Sequence, residues 1–373
     1  MTEVSILALT ILWLVWAGYP IVIVCLAALR HRRVLAAASP DQSVSVILAT
    51  RADARAIRQR VADLLRTSFA ADRLEIIVAL DSARAEAHPA ELADLDPRVV
   101  VVQGDAPGGK AATLNAAVRA ARNDVLVFAD TAQRFRRRSI AALVDALVDQ
   151  RLGAVSGMLE CRGRGRRLSL SERYWRYERW LRNHEARVYS GVGVTGAVYA
   201  MRRRLWEPLP AGLILDDVYV PMRLVMHGWR IGFTDRAQAT DTRGFAVKAE
   251  YRRKVRTLTG VVQVCAWLPG VLNPFRNPVW IQFTFHKLLR LLTPYLLLAV
   301  AADIAWHGAI RIGSAAGSGN LLLLAALGAA VVCLVPRLRR RVTTPIVWGL
   351  ALQSSIVMAT VNGLRGRWDV WQQ

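Results

Sequence analysis

Cysteine is scarce in this chain: the four residues, at positions 25, 161, 265 and 333, share no paired spacing. That excludes a disulfide framework and a cysteine-based zinc site. The six histidines are scattered, with no pair at ligand spacing. Lysine occurs only at positions 110, 248, 254 and 287, so the net charge of +22 is carried almost wholly by arginine. No internal repeat and no long disordered tract is present, which sets aside repeat architectures. What the chain has in abundance is apolar side chains. A hydrophobic content of 54% and a mean hydropathy of +0.26 are high for a purely soluble protein, and 373 residues leave room for one ordinary domain plus membrane segments.

Val4 to Leu29 is almost wholly apolar and is followed by His31-Arg32-Arg33. A signal peptide carries its charge before the apolar stretch, whereas here it comes after. The stretch is also long enough to cross ~30 Å of hydrocarbon. A retained transmembrane helix is expected, with Arg32 and Arg33 in the cytoplasm and the amino terminus outside. Leu288–Trp306, Asn320–Val335 and Pro345–Val361 are further span candidates, and Val261–Leu272, broken by Pro269-Gly270, reads as an interfacial segment. Arg337, Arg339, Arg340 and Arg341 fall between the last two candidates, in what should be a cytoplasmic loop. The expected organisation is therefore 1–35 as an amino-terminal transmembrane helix, 44–260 as a cytoplasmic domain, and 261–373 as an interfacial segment with about three spans. Location in an inner or plasma membrane follows. The positive charge is spread over loops and membrane flanks, so membrane lipids rather than nucleic acid are the expected polyanion.

Between the spans, strands and helices alternate. Ser45–Thr50, Leu74–Leu80, Val99–Val102, Val125–Ala129 and Gly153–Ser156 read as strands; Asp53–Leu65, Lys110–Arg122 and Ile140–Val148 read as helices. This is an α/β pattern with a largely parallel sheet and helices on both faces. Regularity fails after Cys161. Arg162–Arg167 reads as a basic loop, and Ser171–Val188 as a helix striped by Tyr174, Tyr177, Leu181, His184 and Val188. That stripe suits a helix packed on the sheet and equally one lying among headgroups.

Three carboxylate sites punctuate the strands. Asp81 ends the second strand, Asp130 ends Val125–Ala129, and Asp216-Asp217 follow Gly212–Leu215. Open α/β sheets bind ligands at the carboxyl ends of such strands, although an acid there can also simply cap a turn. Gly108-Gly109-Lys110 lacks the spacing of a Walker loop, yet glycines leading into a helix present free amides and a helix dipole to phosphate.

Taken in order, SVILAT, LEIIVALDSA, GGKAATLNAA, VLVFADTAQRF, VTGAVYAMRR, LDDV and EYRRKVR resemble the glycosyltransferase family 2 proteins. The likeness is to the membrane-embedded group that includes cellulose, hyaluronan and poly-N-acetylglucosamine synthases, over roughly residues 44–260. The resemblance implies a GT-A-type nucleotide-sugar-binding domain with a mostly parallel central sheet, flanked by transmembrane helices. It implies a nucleotide-sugar donor, expected as a UDP-sugar, and a lipid-linked or glycan acceptor. Asp81 would contact the base or ribose, with Lys110 near it. Asp130 matches the first acid of the Asp-x-Asp motif and would hold Mg2+ or Mn2+ on the donor diphosphate, whose departing charge a metal neutralises. Asp217, with Asp216 beside it, matches the base that deprotonates the acceptor, and adjacent acids raise one another's pKa. Arg253 matches the arginine of the Gln-x-x-Arg-Trp motif and would bind the diphosphate.

This chain departs from the pattern. Ala132 replaces the second acid of the metal motif, which leaves Asp130 alone or with Gln133. Glu250 and Lys254 stand where polymerising members carry Gln and Trp. Inverting transfer at the cytoplasmic face is the leading expectation; a processive synthase with an oligomeric or export partner, and a non-catalytic sensor, are the alternatives.

Overall fold

The computed structural model describes residues 2–30, 42–161, 170–241, 247–314 and 336–369. The basic loop 162–167, the candidate span 320–335 and the arginines at 32 and 33 lie outside the described residues.

Eight strands form one sheet: β1 (Val44–Thr50), β2 (Leu74–Leu80), β3 (Val99–Gln103), β4 (Val125–Ala129), β5 (Gln133–Phe135), β6 (Leu152–Cys161), β7 (Val198–Arg202) and β8 (Arg230–Asp241). Their order is β3-β2-β1-β4-β7-β6-β8-β5. The first four run parallel, and β1, β2 and β4 are buried along nearly their whole length. Unbroken runs of Val, Ile and Leu have no polar face to leave in water, so they occupy the middle of a sheet covered on both sides. Regular alternation stops at β7. It pairs antiparallel with β4 and β6, and only β6 with β8 restores a parallel pair. The sheet is mostly parallel, with an antiparallel insert that the alternation of strands and helices does not reveal. Helix α3 (Ala54–Leu65) is capped by Asp53, whose carboxylate accepts from the amide of Ala56 at 2.7 Å, and α5 (Ser139–Ala146) packs against β8.

Because β1 has β2 on one side and β4 on the other, chain direction reverses at β1 and opens a crevice at its carboxyl end. Thr50 ties the two flanking loops there. Its carbonyl accepts from the amide of Asp81 at 2.9 Å, and its hydroxyl accepts from Thr131 at 2.7 Å.

Among the described residues, three helical stretches are long and apolar enough to cross a membrane: Glu3–Leu29, Trp280–Gly308 and Pro345–Leu364. The first contains α1 (Glu3–Trp13) and α2 (Tyr19–Leu29), joined by a wide π turn at Leu14–Gly18. The second has a matching wide turn at Thr284–Leu288, before the helix Thr293–Ser314. The last helix starts at Pro336, so the arginines at 337–341 begin a helix rather than fill a loop. Val261, Val264 and Val271, from the stretch read as interfacial, are buried in the larger core cluster of the domain.

Helix α6 (Leu170–Val188) joins the sheet domain to the spans. Its Leu181 packs with Tyr19 and Ile23 of α2, and Tyr177, Val188 and Phe285 close the cluster. On the same face, Glu178 and Glu185 point into the contact and are buried. His286 places one ring nitrogen 2.9 Å from Glu178 and the other 2.9 Å from Glu185. Arg290 pairs with Glu178, and the Tyr19 hydroxyl donates to Glu185. The stripe on α6 is thus a joint between domain and spans, with an ionic centre.

Candidate active site

The four acids converge on the crevice from three places: the ends of β2 and β4 and the start of one helix. Asp81 is buried at the end of β2, and its Oδ1 accepts from the amides of Ala83 at 3.0 Å and Gly109 at 3.1 Å. The Gly-Gly turn is therefore folded over this carboxylate. Gly108 has φ +88°, and a Cβ there would stand 2.6 Å from the Ala83 methyl and 2.8 Å from Asp81 Oδ1. Both the left-handed backbone and the lack of room require glycine. A Gly108→Ala substitution is expected to cost about 1–3 kcal/mol, read by thermal unfolding.

Helix α4 (Lys110–Ala120) begins directly after this turn. Its first residue reaches across the crevice, with Lys110 Nζ 3.0 Å from Asp216. Burial alone would lower the lysine's pKa. The carboxylates of Asp216, Asp130 and Asp217 together hold it above its ordinary value.

Asp216 and Asp217 form the first turn of α7 (Asp216–Met226), where the helix dipole favours negative charge. The approach to that turn is fixed from α8 (Val247–Trp267). Gln263 accepts from the amide of Ile214 at 2.8 Å and donates to the carbonyl of Gly212 at 3.0 Å. Gly260 lets α8 come close, because a Cβ there would lie 2.7 Å from that of Leu215. A Cβ on Gly196 would stand 3.7 Å from both Asp217 Oδ2 and Lys110 Nζ, so the acid and the ammonium flank one spot. Asp217 Oδ1 is buried and has no hydrogen-bond partner among the described residues. Burial first, and then Asp216, raise the Asp217 pKa; Lys110, Arg182 and Lys287 oppose them. The result is a carboxylate kept partly unsatisfied inside a positive surround.

Asp130 is held through its backbone. Arg60 of α3, fully buried, donates from Nε to the Asp130 carbonyl at 3.0 Å, pairs with Asp63 and lies over the Phe135 ring at 4.4 Å. Burial lowers its pKa to about 10 against the pull of Asp63 and Asp130. Tyr199 of β7 stacks on Phe128 with 4.3 Å between ring centroids. Its hydroxyl is buried without a partner among the described residues, and burial, then Asp216, Asp217 and Asp130, push its pKa well above the ordinary value.

Two expected contributors also make contacts of their own. Gln133 belongs to the β5–β8 pairing and donates from its amide nitrogen to Asp241 at 2.9 Å, while its amide oxygen is buried without a partner among the described residues. Arg253 is paired with Glu250 and lies over Trp175 at 5.0 Å, whereas Arg256, one turn further along α8, is the arginine that senses Asp217, Asp216 and Asp130. Burial lowers the Arg256 pKa against those three acids. Arg256, Arg60 and Tyr199 are site residues that motif spacing did not single out. For Arg256, the i, i+3 relation to Arg253 was the available signal.

Among the described residues no group of three or more His, Cys, Asp or Glu is placed to hold a metal ion. Asp130, at the carboxyl end of β4, nonetheless offers oxygen donors. That fits a hard divalent cation which takes its remaining ligands from phosphate and water. The chain supplies part of such a site, and a diphosphate would complete it.

A family model, Glycosyltransferase like family 2, matches residues 40–260. Among solved structures, the mannosyltransferase PcManGT from Pyrobaculum calidifontis, in complex with GDP-Man and Mn2+, aligns with a TM-score of 0.69. The match covers 97% of this chain and 99% of that one at 23% identity, which shows a shared fold. No curated protein matches the sequence.

Proposed function

The chain belongs to glycosyltransferase-like family 2 and is a glycosyltransferase of GT-A fold, and on that premise we propose the reaction and the roles of its residues. It moves a hexose from a nucleotide-sugar donor to a lipid-linked or glycan acceptor, with inversion, at the cytoplasmic face of a membrane. The observation that carries this is the half-buried Asp217 carboxylate, whose Oδ1 is buried without a partner among the described residues and whose Oδ2 flanks one spot with Lys110.

The nucleoside lies against Asp81 and the Gly108-Gly109 turn. Its diphosphate meets Lys110, the amino end of α4 and the guanidinium groups of Arg253 and Arg256. Asp217 Oδ1 takes the proton from the acceptor hydroxyl as its oxygen bonds to the anomeric carbon. The bond from that carbon to the diphosphate breaks on the opposite face. A base needs an affinity for protons and room to accept one; the raised pKa and the orphaned oxygen supply both. Lys110 and Asp216 fix where that base stands. A divalent cation held by Asp130 would supply charge neutralisation on the departing diphosphate. Arg60 keeps the Asp130 loop in place from behind.

The three apolar helices support a membrane setting, and the arginines flanking the first span support a cytoplasmic active site. The fold relative was solved with GDP-Man, which makes GDP-mannose a donor to test beside the UDP-sugars that the family resemblance suggests. Membranes containing the protein are to be incubated with labelled nucleotide sugars, Mg2+ or Mn2+, and their endogenous lipids. One donor is expected to label a lipid or glycan fraction. Neither transfer nor hydrolysis across the whole panel would refute the proposal.

A further inference from the structure

Arg256, Gly260, Gln263 and Trp267 recur at intervals of three and four residues, so they lie on one face of α8. That face grips the segment leading into Asp216-Asp217. Leu215 meets it at Gly260. Gln263 is fully buried with both ends of its amide in use, the oxygen accepting from Ile214 and the nitrogen donating to Gly212. Trp267 closes the other side of Gly212, where a Cβ would stand 3.8 Å from the indole. Asp217 is fastened from the opposite side as well, its carbonyl accepting from the Val194 amide at 2.8 Å. The turn carrying the base is thus held between two walls, and on the α8 side its polar fixing is Gln263.

The neighbouring face of α8 is set by a membrane helix. The last helix (Pro336–Leu364), whose stretch Pro345–Leu364 is apolar enough to span, packs along α8. Its Ile356 and Ala359 are buried, on the face that also carries Asn362 and Gly363. The Asn362 amide donates to the hydroxyl of buried Thr259 at 3.4 Å. Gly363 admits Val262, because a Cβ there would stand 2.4 Å from a Val262 methyl. Just beyond the helix, Trp368 meets Trp267 edge-on, with 6.4 Å between ring centroids. Thr259 and Val262 adjoin Gly260 and Gln263, so one short length of α8 touches the apolar helix and the turn that carries the base. A close-packed interior transmits a displacement from one such contact to the other.

We propose that Gln263 is the positioning residue of the base and that the carboxyl end of the last helix sets Gln263, so that the seating of a membrane helix governs the rate of transfer. The inference rests on the transfer scheme above, with Asp217 as its base. Position matters there because the base must lie within hydrogen-bond reach of the acceptor hydroxyl, and a misplacement of about 1 Å can cost about a hundredfold. Gln263 acts on the turn carrying the base and not on Asp81 or the Gly108-Gly109 turn, so kcat rather than donor affinity should respond.

Two measurements on the full-length protein separate the parts. Hydrogen exchange in detergent needs no substrate. Gln263→Ala and Gly363→Ala should each speed exchange at the Ile214 amide by about tenfold, although residue 363 touches the other side of α8. Single-turnover transfer in membranes, with labelled GDP-mannose and UDP-glucose as donors and endogenous lipids as acceptors, reads the positioning. Gln263→Ala should lower kcat by about tenfold to a hundredfold while donor affinity holds. Gln263→Glu, which keeps the acceptor for Ile214 and loses the donor to Gly212, should lose less, and it carries the test where the Ala variant does not fold. Adding Val262→Ala to Gly363→Ala removes the methyl that the new Cβ meets and should restore most of the rate. Leu143→Ala, in the core cluster on the other face of the sheet, should lower the thermal midpoint and leave kcat and Ile214 exchange alone. Unchanged exchange and kcat in the Gln263 variants overturn the inference. Losses that track the thermal midpoint in every variant, Leu143→Ala included, reduce Gln263 to an ordinary core residue and overturn it too. A Gly363→Ala defect that Val262→Ala does not relieve breaks the link to the last helix. Exchange that responds as expected in a wild-type protein that neither transfers nor hydrolyses either sugar nucleotide would count against the transfer scheme and leave the clamp standing.

Discussion

Replacing Asp217 by Asn is expected to lower the transfer rate by about a thousandfold, within the range that a positioned general base contributes. Donor affinity should stay near that of the native protein. Asparagine keeps the shape of the side chain and can still sit beside Lys110 and Gly196, but it cannot take the proton. The loss should therefore fall in kcat rather than in donor binding, which single-turnover kinetics and equilibrium titration separate. The pH profile gives an independent check. Burial and the neighbouring Asp216 raise the Asp217 pKa above its ordinary 3.8. The basic form is the active one, so the rate should climb with pH through that raised value and then level off. The acid limb should disappear in the Asn variant. A variant that turns over normally, or a native profile without such a limb, would remove Asp217 from the chemistry.

The second large effect concerns stability. Glu178→Ala would strand Arg290 and His286 at the centre of the joint between α6 and the second span. Removing one partner of a buried ionic group costs about 3–5 kcal/mol, because the remaining charge has neither water nor counterion. In a thermal melt of the detergent-solubilised protein this corresponds to a fall on the order of 10 °C. Asp94→Ala makes a useful contrast. Its pair with Arg58 is largely exposed, with 72% of the Asp94 side chain in solvent, and its loss should leave the midpoint unchanged. The acid response has a definite sign. Burial disfavours the ionised Glu178, but Arg290 and His286 hold its carboxyl well below the ordinary 4.5. Its contribution is fully present above that ordinary value and fades only as pH falls through the depressed one. The joint should therefore survive mild acidification. A midpoint in the Ala variant equal to that of the native chain would show that the ionic centre is dispensable.

Much of this site was legible in the sequence because it is built from strand ends. An apolar run that stops at an aspartate gives both the strand and the place of its acid for Asp81 and Asp130, whereas the run before Asp216-Asp217 is no strand and leads into helix α7. Lys110 was legible as the first residue of a helix after two glycines. What escaped depends on pairings between distant parts of the chain. Nothing in the local pattern says that β7 inserts antiparallel between β4 and β6, and that insertion is what brings the Tyr199 hydroxyl among the acids. Arg60 sits on a helix whose apolar residues are buried, and an arginine there is expected to point outward; only the Asp130 carbonyl and the Phe135 ring explain its burial. Glu178 and Glu185 are seven residues apart with Leu181 between them, so two charges lie on an apolar stripe. Their partners, His286 and Arg290, are about a hundred residues away, with no local signal to connect them.

The wide turns at Leu14–Gly18 and Thr284–Leu288 act on this joint as phase shifters. A π turn carries one residue more than an ordinary helical turn, and each residue turns the helix by about 100°. Everything beyond the turn is rotated by that amount relative to everything before it. In the second span, Phe283 faces the core before the shift, His286 and Lys287 ride on it, and Arg290 comes inward after it. Straightening that turn by deleting one residue would leave the apolar character of the helix intact while swinging Arg290 away from Glu178. Hydropathy would register no change in such a chain, although its ionic centre would have come apart. In these two helices the angular setting, as much as the apolar content, is what the sequence encodes.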